Sequence, residues 1–569
     1  MPITSAMAVV VAVSALSCAF APAAHGQTSA GPARPMITQP VIETNSVQLF
    51  GNTRPEANAT NDRGRVPDTL SMEHLLLQLR RPPAQEQALT QLIDQLHNPA
   101  SGKFHQWLTP SEFGAQFGPA ASDIAQITGW LQRHGFRVNT IYPSGMTIDF
   151  SGTAGQVRTA FHTEIHHLQV NGVGHIANMS DPQIPAALAP AVVGIVSLHD
   201  FMPRPTLVRK LTTEYTIANC STSAPTTCYA VTPPDLATIY NFNPLFQAGT
   251  SGQNQTIYLI EDTDLYTTSD WTTFRSTFGL SAYTSGSLST IHPAPPSGSN
   301  NCADPGVNSD DIEAILDAEY ASAAAPNARI VLATCADTNT TFGALFAIQN
   351  LINGANPPAI ISLSYIECEA ANGASSNAAF SAIYQQGVAE GTSIFVAAGD
   401  EDAGSCDYNG TAVTHGIGVN AYASTPYNVA VGGTDFSDTY SATNSTYWSP
   451  SNTSTYGSAK SYVPEIPWND SCAGQLLATF EQYTTTYGSS GFCNSRKGAS
   501  FLNNGGGSGG PSGCATGSPS PSTPEVVSGS CAGYAKPSWQ SGVVGIPNDG
   551  VRDIPDVSLF AADGLWGHY

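Results

Sequence analysis

Apolar positions in the first third of the chain recur every three or four residues and stop at defined points. Leu89, Leu92, Ile93 and Leu96 form one helical stripe, ended by Asn98-Pro99. Thr109-Pro110-Ser111-Glu112 supplies an N-cap, a Pro at the first helical position and a Glu at the third, a capping box that opens a short helix. Ile124, Ile127 and Leu131 repeat at helical spacing until Gly135 closes the segment. The period then switches. Met146 to Phe150 alternate as a strand does, a helix runs through Val157 and Phe161, and alternation returns over Glu164 to Val170. Residues 45–200 therefore read as a small α+β domain.

From about residue 230 the pattern changes to short apolar runs separated by helical stripes. The runs are Thr256 to Ile260, Arg329 to Ala333, Ala359 to Ser364, Ser393 to Ala398 and Val429 to Gly432. Between them, Phe342, Leu345, Phe346 and Ile352 end at Gly354, and Phe380, Ile383, Tyr384 and Val388 end at Gly391. Repeated βαβ units predict an α/β fold, a parallel sheet with helices on both faces, whose active site lies at the carboxyl ends of the strands. Residues 201–229 are rich in Pro and Thr, carry Arg204, Arg209 and Lys210, and read as a linker open to cleavage. Ser441 to Gln540, rich in Gly, Ser, Thr, Asn and Pro, reads as loops over the sheet.

Composition narrows the partners. A chain of 569 residues with 43 acidic and 20 basic side chains has a net charge of −23, which argues against nucleic acid or an anionic membrane. Residues 1–26 hold an apolar run, Met7 to Phe20, followed by small residues, and read as a secretory signal peptide. A membrane anchor is the alternative, because no Lys or Arg precedes the run, but the run is short for a span. No later stretch reaches about 18 apolar residues, so a secreted, soluble monomer is expected. Cysteine usage agrees: Cys18 leaves with the signal and the ten that remain suit an oxidising compartment. Spacing suggests local pairs such as Cys220 with Cys228 or Cys514 with Cys531, without fixing the connectivity. No C-x-x-C pair speaks for zinc.

Two segments carry candidate chemistry. In Asp310-Asp311-Ile312-Glu313-Ala314-Ile315-Leu316-Asp317, the apolar stripe leaves Glu313 and Asp317 stacked four apart on a neighbouring face. Asp310 could instead be the N-cap, Glu313 its capping-box partner and Asp317 solvated surface. The second segment, Ser393 to Asp400, is a buried strand that delivers Asp400 to its carboxyl end, as a loop cap or as a site residue.

With these motifs the chain resembles the sedolisin, or serine-carboxyl peptidase, family. Helix Glu-x-x-x-Asp and strand-to-loop Ala397-Ala398-Gly399-Asp400 are followed in family order by further landmarks. They include Asn420 to Tyr427 running into Ala430-Val431-Gly432-Gly433-Thr434, then Ile466-Pro467-Trp468-Asn469, Gly505-Gly506-Gly507-Ser508 and Arg552 to Leu559, with Ile361 to Tyr365 ahead of them. Trp107-Leu108-Thr109-Pro110 and Trp130 to Phe136 resemble the kumamolisin-like activation propeptide of that family. The resemblance implies a subtilisin-like peptidase domain at 230–569 behind an activation domain at 45–200 that acts as an intramolecular inhibitor, and a protein or peptide substrate. It implies Glu313 as the base, Asp317 as its orienting partner and Asp400 as a protonated donor to the oxyanion. In acid a histidine base, with pKa near 6.5, is mostly protonated, whereas a Glu near 4.3 still accepts the serine proton.

The family's nucleophile sits in a Gly-Thr-Ser segment beyond Pro555 to Leu559, and its calcium ligands lie later still. The sequence stops at Tyr569. The expectation is therefore a peptidase domain incomplete at its C-terminus, inactive as it stands, with neither nucleophile nor calcium ligands assigned. Gly391-Thr392-Ser393, Gly249-Thr250-Ser251 and Ser508 are rejected as nucleophiles from their contexts. A His-based subtilisin would need Gly-Thr-His on a helix, which is absent, and His415 reads as a loop residue. His162, His166 and His167 lack ligand spacing. The alternative function is a non-catalytic, peptide-binding remnant of a peptidase.

Overall fold

A computed structural model describes residues 33–196, 198–205, 230–408, 410–562 and 564–568. The signal-peptide reading, the Cys220 and Cys228 pair and most of the linker lie outside these residues.

The N-terminal domain is built on a four-stranded antiparallel sheet of β1 (Ser71–Leu79), β2 (Arg137–Ile141), β3 (Thr147–Thr153) and β4 (Val192–Val196), in the order β2-β3-β1-β4. Helices α1 (Pro83–His97), α2 (Pro110–Phe117), α3 (Ala121–Arg133) and α4 (Ala154–Phe161) accompany it. The Thr109 capping box forms as read: the Thr109 hydroxyl accepts the Glu112 amide, and the Glu112 carboxylate accepts the Thr109 amide at 2.9 Å. A second box, Thr153 with Gln156, opens α4. Trp130, Phe136, Phe150 and Phe161 pack edge-to-face inside this domain, with Trp130 to Phe161 centroids 5.2 Å apart.

The second domain is an eight-stranded sheet. In chain order its elements are β5 (Thr256–Glu261), β6 (Ser287–Ile291), α5 (Asp311–Ala324), β7 (Arg329–Thr334), α6 (Gly343–Ile352), β8 (Ile360–Leu363), α7 (Ala374–Ala389), β9 (Ser393–Ala397), β10 (Val429–Phe436), β11 (Glu465–Pro467) and β12 (Val557–Phe560). Spatially they run β6-β7-β5-β8-β9-β10-β11, with β12 on β10; β11 alone is antiparallel. Successive residues of a strand face opposite sides. Leu259 and Leu332 therefore pack under Ala314 and Ala318 of α5, while Ile260, Ile361, Leu363, Ile394 and Val396 pack under α6 and α7. Each buried Leu or Ile contributes about 1.5–3 kcal/mol. The small side chains of α5 let that helix sit close to the sheet, which fixes where its carboxylates point.

Among the described residues, four disulfides join Cys302 to Cys335, Cys368 to Cys406, Cys472 to Cys493 and Cys514 to Cys531. The last is the local pair that spacing suggested. Among the described residues no helix is long and apolar enough to cross a membrane.

The two domains share a core. Leu76 and Val196 of the first are buried in the same cluster as Phe342, Phe380 and Tyr384 of the second. Largely buried polar bonds also cross the contact: Arg81 Nη1 donates to Gln385 at 2.9 Å, the Tyr142 hydroxyl to Asn350 at 2.8 Å, and Arg54 pairs with Glu367 at 3.1 Å.

Candidate active site

Carboxyl groups from separate segments gather at the carboxyl edge of the large sheet. Helix α5 starts at Asp311, and its N-cap Asp310 places no side-chain bond on the first amides. Glu313, one turn in, is only 3% exposed. One turn further, Asp317 accepts the Ser364 hydroxyl at 2.9 Å, which ties the helix to the residue that follows β8. Both side chains are thus at least partly buried rather than on an open helix surface. Burial raises the Asp317 carboxyl to about 6, and the bond from Ser364 pulls partly against it.

Glu261 ends β5 and is fully buried. Burial first, then the nearby Asp317 and Glu313 carboxylates, hold its carboxyl well above the usual range. The Tyr365 hydroxyl lies 3.1 Å from Glu261 and 2.7 Å from Asp262. Burial and the neighbouring Asp317 and Glu313 carboxylates thus disfavour the ionised form of Glu261.

Asp400 lies past the end of β9, at the same edge as Ser364, because β8 pairs with β5 on one side and with β9 on the other. Asn420 ties the two strand ends, donating to the carbonyls of Tyr365 at 2.9 Å and Ala397 at 2.8 Å. The backbone turns at Gly399, whose φ of +112° a side chain would resist. The glycine-rich loop then holds the turn: the Gly506 amide donates to the Asp400 carbonyl at 2.9 Å, and the Asp400 amide donates to Glu401 at 3.0 Å. Gly507 must lack a side chain, since a Cβ would sit 2.5 Å from the Gly433 carbonyl oxygen. Burial lifts the Glu401 carboxyl to about 7. Ser508 is buried and its hydroxyl accepts the Glu401 amide at 2.8 Å, a structural role.

The structure thus brings Glu313 and Asp317 together with a third carboxyl and sets Asp400 on the adjoining strand ends. Glu261, Ser364 and Tyr365 are additions to the sequence-based set. Their signal was a carboxylate and two hydroxyls directly after buried strands, at the edge where such folds bind ligands. His415 is a loop residue paired with Asp407 at 2.6 Å, and His166 pairs with Asp62 at 2.8 Å.

One further segment reaches this edge. Arg204–Pro205 pairs antiparallel with Tyr365–Ile366, the residues that follow Ser364. The chain leaving the N-terminal domain is thus laid along the extension of β8, beside the serine that holds Asp317. The Arg204 guanidinium lies 4.8 Å over the Tyr408 ring.

The resemblance also implies calcium. Among the described residues, one group of three His, Asp or Glu side chains converges, Asp264, His292 and Asp304. An imidazole donor does not fit the all-oxygen shell of six to eight ligands that calcium takes, so no residue here is assigned to it.

Comparison with known proteins accords with this geometry. Residues 58–201 match the family described as Pro-kumamolisin, activation domain. Kumamolisin of Bacillus sp. (strain MN-32) is 30% identical over 57% of this chain and 55% of its own length. Xanthomonalisin of Xanthomonas sp. (strain T-22) is 30% identical over 68% of this chain and 48% of its own. Sedolisin of Pseudomonas sp. (strain 101) is 25% identical over 86% and 70%. The chain spans about half the length of the first two relatives. In its activation-domain match, its α/β domain and its order of motifs the chain is similar to the sedolisin-type peptidases, with a propeptide-like region ahead of the α/β domain.

Proposed function

We propose that the chain is the secreted precursor of an acid-acting serine-type endopeptidase, in which Glu313 is the general base, Asp317 orients it and shares its proton, and Asp400 donates a hydrogen bond to the oxyanion. The observation that carries this reading is the Arg204–Pro205 segment, paired in extended form on the strand extension next to Ser364 and Asp317. An extended segment bound by backbone pairing is how a peptide substrate would lie. Here the tethered propeptide occupies that place and acts as an intramolecular inhibitor.

Chemistry follows from the charges. A serine attacking a peptide carbonyl must lose its proton as the bond forms. Glu313, with Asp317 and Glu261 sharing the surplus proton, can accept it in acid, where an imidazole could not. Protonated Asp400 then stabilises the developing negative charge and keeps its own proton. The nucleophilic serine is assigned to none of the 569 residues; the family pattern puts it in a Gly-Thr-Ser segment after Leu559.

A second reading, a peptide-binding remnant without turnover, draws on the same pairing, since backbone pairing needs no nucleophile. Reading the coding DNA beyond Tyr569 and then acidifying the encoded protein to about pH 4, near the ordinary carboxylate range, separates the two. A chain carrying Gly-Thr-Ser is expected to shorten itself between residues 200 and 225 and to cleave an unstructured peptide. Glu313→Gln should lower kcat by at least about 100-fold. A chain with that segment that stays full length and cleaves nothing would overturn the peptidase reading.

A further inference from the structure

At the carboxyl edge of the large sheet, toward its β6 end, Asp264 follows β5, His292 follows β6, and Asp304 lies in the loop between β6 and α5. We propose that these three side chains bind one divalent transition-metal cation of zinc's class, with water completing the shell.

Their ligand atoms all lie within 4.8 Å of one another, and the atom that each does not offer is held by a neighbour. The Thr334 hydroxyl donates to Asp264 Oδ1 at 2.7 Å, leaving Oδ2. The Gly306 amide donates to Asp304 Oδ1 at 2.7 Å, again leaving Oδ2. His292 Nδ1 lies 3.1 Å from the Thr334 carbonyl oxygen and 3.0 Å from its hydroxyl, contacts that suit the tautomer with the hydrogen on Nδ1, in which Nε2 offers the lone pair. A metal-binding imidazole is commonly oriented in this way, by a carbonyl on its far nitrogen.

Nε2 faces Asp264 Oδ2 at 3.7 Å and Asp304 Oδ2 at 3.8 Å. A direct charged hydrogen bond would close to about 2.7–2.9 Å. Ligands at about 2.0–2.2 Å around a shared tetrahedral cation stand about 3.3–3.5 Å apart. The observed spacing is nearer the second arrangement. One nitrogen and two oxygens suit a zinc-class ion, and three protein ligands with a solvent-facing side leave room for water. Asp304, with its side chain 67% exposed, forms the open side.

The cation would join two strand ends to the loop that precedes α5. That loop also carries contacts to the activation domain: Asn301 donates to the Tyr142 hydroxyl at 2.8 Å and to Asp149 at 2.9 Å. The site shares no residue with the proposed catalytic set, and its test needs no peptidase activity.

The experiment is titration of the chelator-treated full chain with zinc chloride by calorimetry at neutral pH, with cobalt(II) absorption as the report on coordination. The expected result is one zinc per chain at this site and a four-coordinate cobalt spectrum. Asp304→Asn and His292→Ala should each weaken that binding at least 10-fold, and Thr334→Val should weaken it by about 10–100-fold. Unchanged zinc binding in Asp304→Asn, an exposed position that does not threaten folding, would overturn the proposal. So would calcium displacing zinc, or the absence of any binding above that of the Asp304→Asn, His292→Ala double variant.

Discussion

Tyr365 shows how a single hydroxyl sets the electrostatics of the strand ends. It is buried, and its oxygen lies within hydrogen-bond reach of both Glu261 and Asp262. Tyr365→Phe removes the hydrogen bond to Glu261 Oε2, while Oε1 has no hydrogen-bond partner among the described residues. Leaving such a group unsatisfied costs about 1–3 kcal/mol. Denaturant unfolding of Tyr365→Phe is expected to give a loss in that range. Glu261→Gln copies the protonated acid in shape and should stay within about 0.5 kcal/mol of the parent at pH 5, near surface-like tolerance. A loss of several kcal/mol in Glu261→Gln would mean that Glu261 is ionised in the folded protein, contrary to the burial and like-charge argument. In a catalytically complete chain the same variant should shift the pH profile of kcat, because it removes one member of the proton-sharing group. An unchanged profile would confine Glu261 to a structural role.

At the scale of elements, the contact between the activation domain and the α/β domain holds a titratable group that opposes acid. His199 is buried, and burial first, then the Arg54 guanidinium and His175, push its imidazole well below its ordinary value. A depressed pKa means the unfolded or undocked state binds the proton more readily. The stabilisation is present above about pH 6.5 and is lost as the pH falls toward the folded value. Arg54, which pairs with Glu56 and Glu367, both at 3.1 Å, keeps its charge throughout. Acidification therefore sets a second cation beside Arg54 and loosens the docking. His199→Gln, unable to charge, is expected to retain the docked arrangement to lower pH, read as protection of α7 amides from hydrogen exchange. Identical pH midpoints in parent and variant would remove His199 from the account.

Legibility in the sequence also divides by element. Capping boxes and the βαβ alternation were readable because their signals are local: Thr109 and Glu112 bond to each other, and each buried strand is bounded by its own helix. β1 was not. Its run Leu75-Leu76-Leu77 lacks alternation because the strand is paired on both sides and Leu76 turns into the core of the other domain while Leu75 and Leu77 stay in its own. In the site, Glu313 and Asp317 were visible through their helical spacing. Glu261 was visible only as part of Ile260-Glu261-Asp262 at the end of the first strand and was given no site role, since its partners come from residues about 50 and about 100 positions away and no local spacing records them.

For the whole molecule the balance of titrating groups decides the direction of pH dependence. Burial lifts Asp317 to about 6, Asp337, Glu401 and Asp402 to about 7, and Glu319 and Glu390 to about 8. Each is more easily protonated folded than unfolded. Its contribution is complete below the unfolded value near 4 and is lost as the pH rises through 6 to 8. His199 works the other way over this range, a single imidazole against these six carboxyls and Asp262, which burial also raises to about 6. Glu56 also opposes: against its burial, the Arg54 guanidinium holds its carboxyl below the usual range, so its contribution is lost only as the pH falls below about 4. Stability should therefore peak in mild acid, at about pH 4 to 5, and decline toward pH 8. Calorimetric melts at constant ionic strength should give a Tm that falls steadily over pH 5 to 8, and Glu401→Gln, which cannot ionise, should flatten part of that slope. A Tm that rises toward pH 8 would mean that these carboxyls are solvated in solution, and the protein would then have no physical preference for the acid in which its proposed chemistry runs.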